Sequence, residues 1–260
     1  MKLTFLGTGT SFGVPQIGCH CAVCRSADPR DRRTRVGAVV ETDSGTRLLI
    51  DTPPELRVQL IAAGIDRIDA VLITHDHADH THGIDDLRAI SVRRSAPLQI
   101  YGPAEALTRL AQRFPYIFDD SIRPAPGTSK PEGRARPIES GQPVAIGDAT
   151  VVPVAVPHGT MRVFAYRIGP LAYVTDAQCI PAEAAAVLRG AKVLVINALL
   201  RTEHPTHLSV SEALRAARDL GADRTYLTHL THDNFHADLE AELPRGVSPA
   251  FDGLTVRIDD

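Results

Sequence analysis

Positions 70–80 read Ala-Val-Leu-Ile-Thr-His-Asp-His-Ala-Asp-His, and this stretch limits the fold more sharply than any other. An apolar run of strand type ends abruptly in three imidazoles and a usable carboxylate. Active sites of layered α/β folds lie at such strand ends, where a rigid element delivers polar groups to a cleft. His75 and His77 are two residues apart, so in extended backbone they point the same way. Asp79 and His80 then enter a turn and face a second position. One short segment can thus feed two adjacent metals. Neutral imidazole and carboxylate suit Zn²⁺ and also Mn²⁺ or Fe²⁺.

The rest of the chain alternates apolar runs with helical patterns. Strand-type runs fall at 3–6, 36–42, 47–50, 70–74, 98–101, 150–156, 164–168, 171–175, 193–197 and 225–228. Gly169-Pro170 separates two of them as a hairpin turn. Helical patterns open at Pro54, Pro103 and Pro181, proline being favoured in the first helical turn. A fourth opens at Ser209, where Glu212 completes a capping box. Gly64, Gly190 and Gly221 stand where C-caps are expected. Strands gather early and again in the middle, each cluster followed by helices. The pattern predicts an α/β fold with two sheets face to face and helices outside. The segment 121–143 is rich in Pro, Gly, Ser and Arg and has no apolar period. It reads as a long loop or lid between two halves, so residues 1–260 are expected to form one domain.

Composition excludes several classes. A net charge of −3 gives no global attraction to nucleic acid or to an anionic membrane. No run approaches the ~18–20 apolar residues of a membrane span. The opening MKLTFLGTGTSFG has too short an apolar stretch for a secretory signal, so the expected location is the cytoplasm. Gly7, Gly9 and Gly13 have the wrong spacing for a dinucleotide site. Of four cysteines, Cys19, Cys21 and Cys24 fall within six residues. Disulfides between such close neighbours would be strained, and a metal site is the better reading. Cys179 stands alone and is expected to be a small buried hydrophobe.

A two-metal site needs further ligands from other strand ends. His158 follows VVPVAVP, Asp176 follows LAYVT and His229 follows TYLT. Each is a ligand type just beyond an apolar run.

With these residues in view, the chain resembles the metallo-β-lactamase superfamily over nearly its whole length. The resemblance implies an αββα sandwich of two mixed β-sheets with helices on the outer faces. It also implies one metal held by His75, His77 and His158, a second by Asp79, His80 and His229, and Asp176 as the bridge. Asp51, after the run LLI, matches the acidic residue that orients the ligands. GTGTSFGVP, the C-x-C-x-x-C cluster, FPYIF and YLTHLTHD look like the PhnP-type phosphodiesterases. That likeness implies hydrolysis of cyclic ribose phosphates or 2′,3′-cyclic nucleotides by a metal-bridging hydroxide. It implies a structural zinc on Cys19, Cys21, Cys24 and His232, beside two catalytic divalent metals, Zn or Mn. Asp79 is carried as a catalytic candidate as well as a ligand.

Cleavage of a phosphodiester leaves an alkoxide that benefits from a proton. On position alone His204 and His207 are equal candidates for the donor, and the resemblance assigns His207. His20, His82 and His236 have no role beyond surface or satisfied core. Arg30, Arg32, Arg33 and Arg35 form a run that could contact phosphate. The favoured reading is a solvated loop paired with Asp28 and Asp31. The cluster 114–118 could wall the pocket or an inter-subunit contact, though such aromatic clusters are more often core.

The expected partner is a small phosphodiester, with no large nucleic acid and no membrane; the resemblance implies a homodimer. An RNA-processing nuclease or a thioester hydrolase would share the ligand series. RNA binding would require a long basic arm, and the chain has only Arg123, Lys130, Arg134 and Arg136 within 121–143. A non-catalytic metal-binding protein is the rival from another class.

Overall fold

The structure, a computed structural model, describes residues 1–259. Its strand-type runs pair into two seven-stranded sheets. The first contains β1 (Lys2–Gly7), β2 (Gly37–Glu41), β3 (Arg47–Ile50), β4 (Ala70–Leu72), β5 (Leu98–Gly102) and β6 (Gly133–Pro137). The second contains β7 (Val144–Ile146), β8 (Ala149–His158), β9 (Met161–Ile168), β10 (Leu171–Val174), β11 (Val193–Asn197), β12 (Arg224–Thr228) and β13 (Val247–Pro249). The chain then returns to the first sheet, where β14 (Thr255–Arg257) pairs with β1. Both sheets are mixed. Strands β1 to β3 are antiparallel, whereas β3 to β6 run parallel. In the second sheet β7 to β10 are antiparallel and β10 to β13 parallel.

The helices are α1 (Leu56–Ala62), α2 (Ala78–Thr81), α3 (Arg88–Arg94), α4 (Ala104–Arg113), α5 (Pro115–Phe118), α6 (Ala182–Leu188), α7 (Val210–Leu220) and α8 (His236–Glu242). Alternation along the strands explains their placement. Leu48, Ile50 and Leu72 meet Tyr166, Tyr173, Val193 and Val195 between the sheets. Leu49, Val71 and Ile73 point the other way, onto α1, α3 and α4. Leu194 and Ile196 face outward onto α6 and α7. Strands buried on both faces read as continuous apolar runs, which is why these were visible. The order of layers is helix, sheet, sheet, helix, as expected. No helix of the described residues is long and apolar enough to cross a membrane.

The capping box forms: Ser209 N–H donates to Glu212 at 2.8 Å, and Ser209 Oγ accepts from the Glu212 amide. Pro103 and Pro181 sit one place earlier than expected, at the N-caps in extended conformation. Helix α1 begins at Leu56, two residues beyond Pro54.

Three expectations need correction. The segment 121–143 is not all loop, because Gly133–Pro137 forms β6. It pairs only with β5 and exposes Arg134 and Arg136, the charged habit of an edge strand, so no apolar period could announce it. Cys179 is exposed rather than buried, since it precedes α6 in a surface turn. The Arg run is not one solvated loop. Arg30 does pair with Asp28 at 2.8 Å, but Arg33 is 3% exposed. Its guanidinium donates to Thr8 Oγ1 at 2.9 Å and to the Ala250 carbonyl, and burial pushes it down to about 10. Asp31 is buried and accepts from the His236 amide, while Arg35 pairs with Glu55. The 114–118 cluster packs into the core of the outer layer of the first sheet, the more frequent reading of such a cluster, and Tyr116 donates to Asp85 at 2.9 Å.

Candidate metal centre

Parallel strands in one sheet present their C-terminal ends on one edge, and the candidate residues lie there. Asp51 follows β3, the segment 73–80 follows β4, His158 ends β8, Asp176 closely follows β10 and His229 follows β12. Three of these occupy the left-handed region: Asp51 at φ 62°, Asp176 at φ 56° and His229 at φ 58°. That conformation is costly for a side chain with a Cβ and clusters at functional sites. It turns each side chain sharply out of its strand toward the same point.

Asp176 lies at that point, 2% exposed. Its Oδ1 is 3.4 Å from His80 Nε2. Its Oδ2 is 3.9 Å from His75 Nε2, 3.9 Å from His158 Nε2, 3.5 Å from His229 Nε2 and 3.2 Å from His207 Nε2. Asp79 Oδ2 is 3.5 Å from His80 Nε2 and 4.0 Å from His229 Nε2. Four triads have donor atoms all within 4.8 Å of one another: His75–His77–His158, His75–His80–Asp176, Asp79–His80–His229 and His158–Asp176–His207. All seven residues expected to ligate therefore converge. His207 also falls within the reach of a metal.

These residues fit divalent metals. The Nε2 atoms of His75, His80 and His229 are buried and have no hydrogen-bond partner. Unpaired buried nitrogens are costly, and a cation shared between them and a carboxylate removes the cost. Spacings of 3.4–4.0 Å suit neighbouring ligands that each lie about 2.0–2.2 Å from a metal.

Surrounding groups fix the rings. Asp51 Oδ2 lies 2.7 Å from His80 Nδ1, and Asp51 also accepts from the Thr74 amide and hydroxyl, each at 2.8 Å. Thr74 Oγ1 is 3.0 Å from His75 Nδ1. His158 Nδ1 donates to the Thr206 carbonyl at 3.0 Å, which turns Nε2 inward. That contact needs a close approach: a Cβ on Gly159 (φ 59°) would lie 3.0 Å from Thr206 Cγ2. Asn197 bonds both backbone groups of Ala177 and steadies the turn after Asp176.

The charges of these residues oppose one another. Burial works against ionisation of Asp176, yet His229 and His80 hold its carboxyl well below the usual range. Burial likewise disfavours a charged His80, but Asp176, Asp79 and Asp51 raise it well above an ordinary imidazole. Burial lowers His229 to about 4 and His75 well below its usual value. Neutral imidazoles at His75 and His229 beside an ionised Asp176 are forms that bind a cation, whereas His80 must give up its proton to do so.

A second cluster lies nearby. Cys19, Cys21 and Cys24 place Sγ at 3.2, 3.5 and 3.4 Å from His232 Nδ1. The Cys24 amide donates to Cys21 Sγ, and with the neighbouring thiols and His232 it lowers the Cys21 thiol to about 7. Three sulfurs and one imidazole make a closed four-ligand set of structural-zinc type.

Sequence reasoning missed Asp76. It is 3% exposed and accepts from Arg113 at 2.7 Å and Arg109 at 3.2 Å, both on α4. Arg113 also donates to the Asp76 carbonyl. The two arginines thus clamp the backbone between His75 and His77. The available signal was a pair of arginines four residues apart, hence on one helix face.

A family model described as the beta-lactamase superfamily domain matches residues 46–230. An octanoyltransferase of Porphyromonas gingivalis is 40% identical over 265 residues, covering 100% of this chain and 52% of that protein. Coenzyme PQQ synthesis protein B of Rhodopseudomonas palustris is 31% identical over 156 residues, covering 55% of this chain and 46% of that protein. The chain spans about half the length of these curated relatives. Among solved structures, a diphosphatase from the PhnP family superposes with a TM-score of 0.90 at 38% identity. That match covers 98% of this chain and 96% of the other. The span 46–230 holds all seven converging residues and His207, whereas Cys19, Cys21, Cys24 and His232 lie outside it.

Proposed function

Because the chain belongs to the β-lactamase superfamily, as a PhnP-like metallo-β-lactamase-fold hydrolase, we propose that it hydrolyses small phosphodiesters, cyclic ribose phosphates or 2′,3′-cyclic nucleotides among them. In this reading His75, His77 and His158 hold one divalent metal, Zn or Mn, and Asp79, His80 and His229 hold the second. Asp176 is shared between them. The metals would supply a nucleophile at neutral pH and polarise a phosphoryl oxygen. Cys19, Cys21, Cys24 and His232 hold a structural zinc.

The observation that carries the proposal is the position of His207. Its Nδ1 is 2.8 Å from Thr206 Oγ1, which fixes the ring, and its Nε2 faces Asp176 from the wall of a cavity of about 400 Å³. An ionisable group there can give a proton to a departing alkoxide without being needed as a ligand. His204, the alternative donor, is 3.4 Å behind it, Nδ1 to Nδ1, and is one step further from Asp176. A second reading, cleavage of a phosphoanhydride, is favoured by one relative's being a diphosphatase at 38% identity. The octanoyltransferase is about twice as long as this chain, and the match covers 52% of it.

The test is turnover of a panel by the Zn- or Mn-loaded chain: 2′,3′-cyclic nucleotides, cyclic ribose phosphates, linear diesters, dinucleotide diphosphates and thioesters. Preference for cyclic diesters is expected. Preference for thioesters, or full metal content without turnover of any member, would overturn the proposal.

A further inference from the structure

Among the Phe and Tyr side chains of the described residues, Phe12 is the exposed one, at 66%. Its loop is rigid. The Phe12 amide donates to Thr10 Oγ1 at 3.1 Å, and the Gly13 amide to the Thr10 carbonyl at 2.9 Å. Val14 and Arg33 exchange two backbone bonds of 2.8 and 2.7 Å, and Arg35 Nε donates to the Ser11 carbonyl at 3.1 Å. The ring is therefore held out by a pinned turn. Leaving so much apolar area in water is unfavourable unless something covers it.

What lies beside it indicates the cover. Phe12 lines the same cavity as His207 and His229, together with Leu199, Leu200 and Gln16. An exposed aromatic face and two leucines share this cavity with the proton donor assigned above, while Gln16 and Asp233, which also line it, offer an amide and an acceptor. A flat apolar ring with polar edges matches such a surface; a bare sugar phosphate does not. We infer that Phe12 is a platform on which a nucleobase stacks, so that the substrate is a nucleotide and Phe12 determines that specificity. The inference rests on the phosphodiesterase reading of the adjoining centre and adds the substrate class.

Binding tests it without turnover. Calorimetric titration of the metal-loaded chain with AMP and with ribose 5-phosphate compares probes that share the sugar phosphate and differ in the base. Base stacking on an aromatic side chain predicts an AMP affinity about 5- to 150-fold higher. In Phe12→Ala that ratio should fall toward one, and Phe12→Leu should keep only part of it. Equal affinities in the unsubstituted chain, or an unchanged ratio in Phe12→Ala, would overturn the inference. So would a change of sedimentation in Phe12→Ala, which would make Phe12 an inter-subunit contact. A chain that passes this test yet hydrolyses no diester retires the catalytic reading and keeps the platform.

Discussion

At the scale of single residues, the proposed chemistry turns on His207 and Asp176. Asp176 Oδ2 is within 4 Å of four imidazole nitrogens, three of them from expected ligands and the fourth from His207. Geometry alone lets His207 be either a ligand or a proton donor, and the two roles predict different variants. As a donor, His207→Ala should retain its metals and fold, and lose about 10²–10⁴ in kcat on a diester with an alkoxide leaving group. A p-nitrophenolate leaves readily without a proton, so its release should suffer little. The ratio of the two losses, beside metal content by elemental analysis, decides. Equal losses on both substrates point to phosphate binding, and loss of a metal makes His207 a ligand. The residues legible from sequence were those that follow an apolar strand, where local pattern and chemistry coincide. Asp76 and Phe12 were not legible. The importance of each depends on what packs beside it, Arg109 and Arg113 in one case and the cavity of His207 in the other.

At the scale of elements, two connections do most of the positioning. The first is α4, whose Arg113 and Arg109 hold Asp76 from behind the His75–His77 segment. These arginines are partly exposed, so their value lies in orientation rather than in stability. Removing both by Arg109→Ala with Arg113→Ala should weaken metal retention by about 10–100-fold, the usual effect of losing ligand-orienting partners. Competition with a chromophoric chelator would measure it, and unchanged retention would remove α4 from the metal site. The second connection follows β12, where His229 and His232 face different clusters three residues apart. Cys21→Ser should release about one zinc per chain and lower thermal stability, because structural zinc binding is folding free energy. The metals at His75–His80 should stay. A chain that never holds more than two metals would contradict the third site. Among elements, the strands buried on both faces and the capped helix α7 were readable, since burial and capping write themselves into short patterns. The edge strands β6, β7 and β14 and the short helices α2 and α5 were not. They are three to five residues long and owe their form to neighbours already in place.

At the scale of the whole molecule, the candidate centre joins the two sheets along one edge. Asp51 and the segment 73–80 come from the first sheet; His158, Asp176 and His229 come from the second. Elsewhere the sheets meet through apolar side chains around Tyr166 and Tyr173. At the edge they meet through imidazoles and carboxylates, and the Nε2 atoms of His75, His80 and His229 there have no hydrogen-bond partner. Metals there would bind the native state and not the separated sheets. A ligand at about 100 times its Kd adds about 2.7 kcal/mol by mass action. For a chain of this size each kcal/mol moves Tm by about 2–4 °C. Chelation should therefore lower Tm by about 5–10 °C for each metal removed at that saturation, and re-addition of Zn²⁺ or Mn²⁺ should restore it. Asp176→Ala should abolish the part of this shift that belongs to the shared pair, leaving the part due to the cysteine cluster. Scanning calorimetry of both proteins, with and without chelator, separates the contributions. A chelator that abolishes turnover while leaving Tm in place would show that the apolar interface alone holds the sheets together and that the metals serve only the reaction.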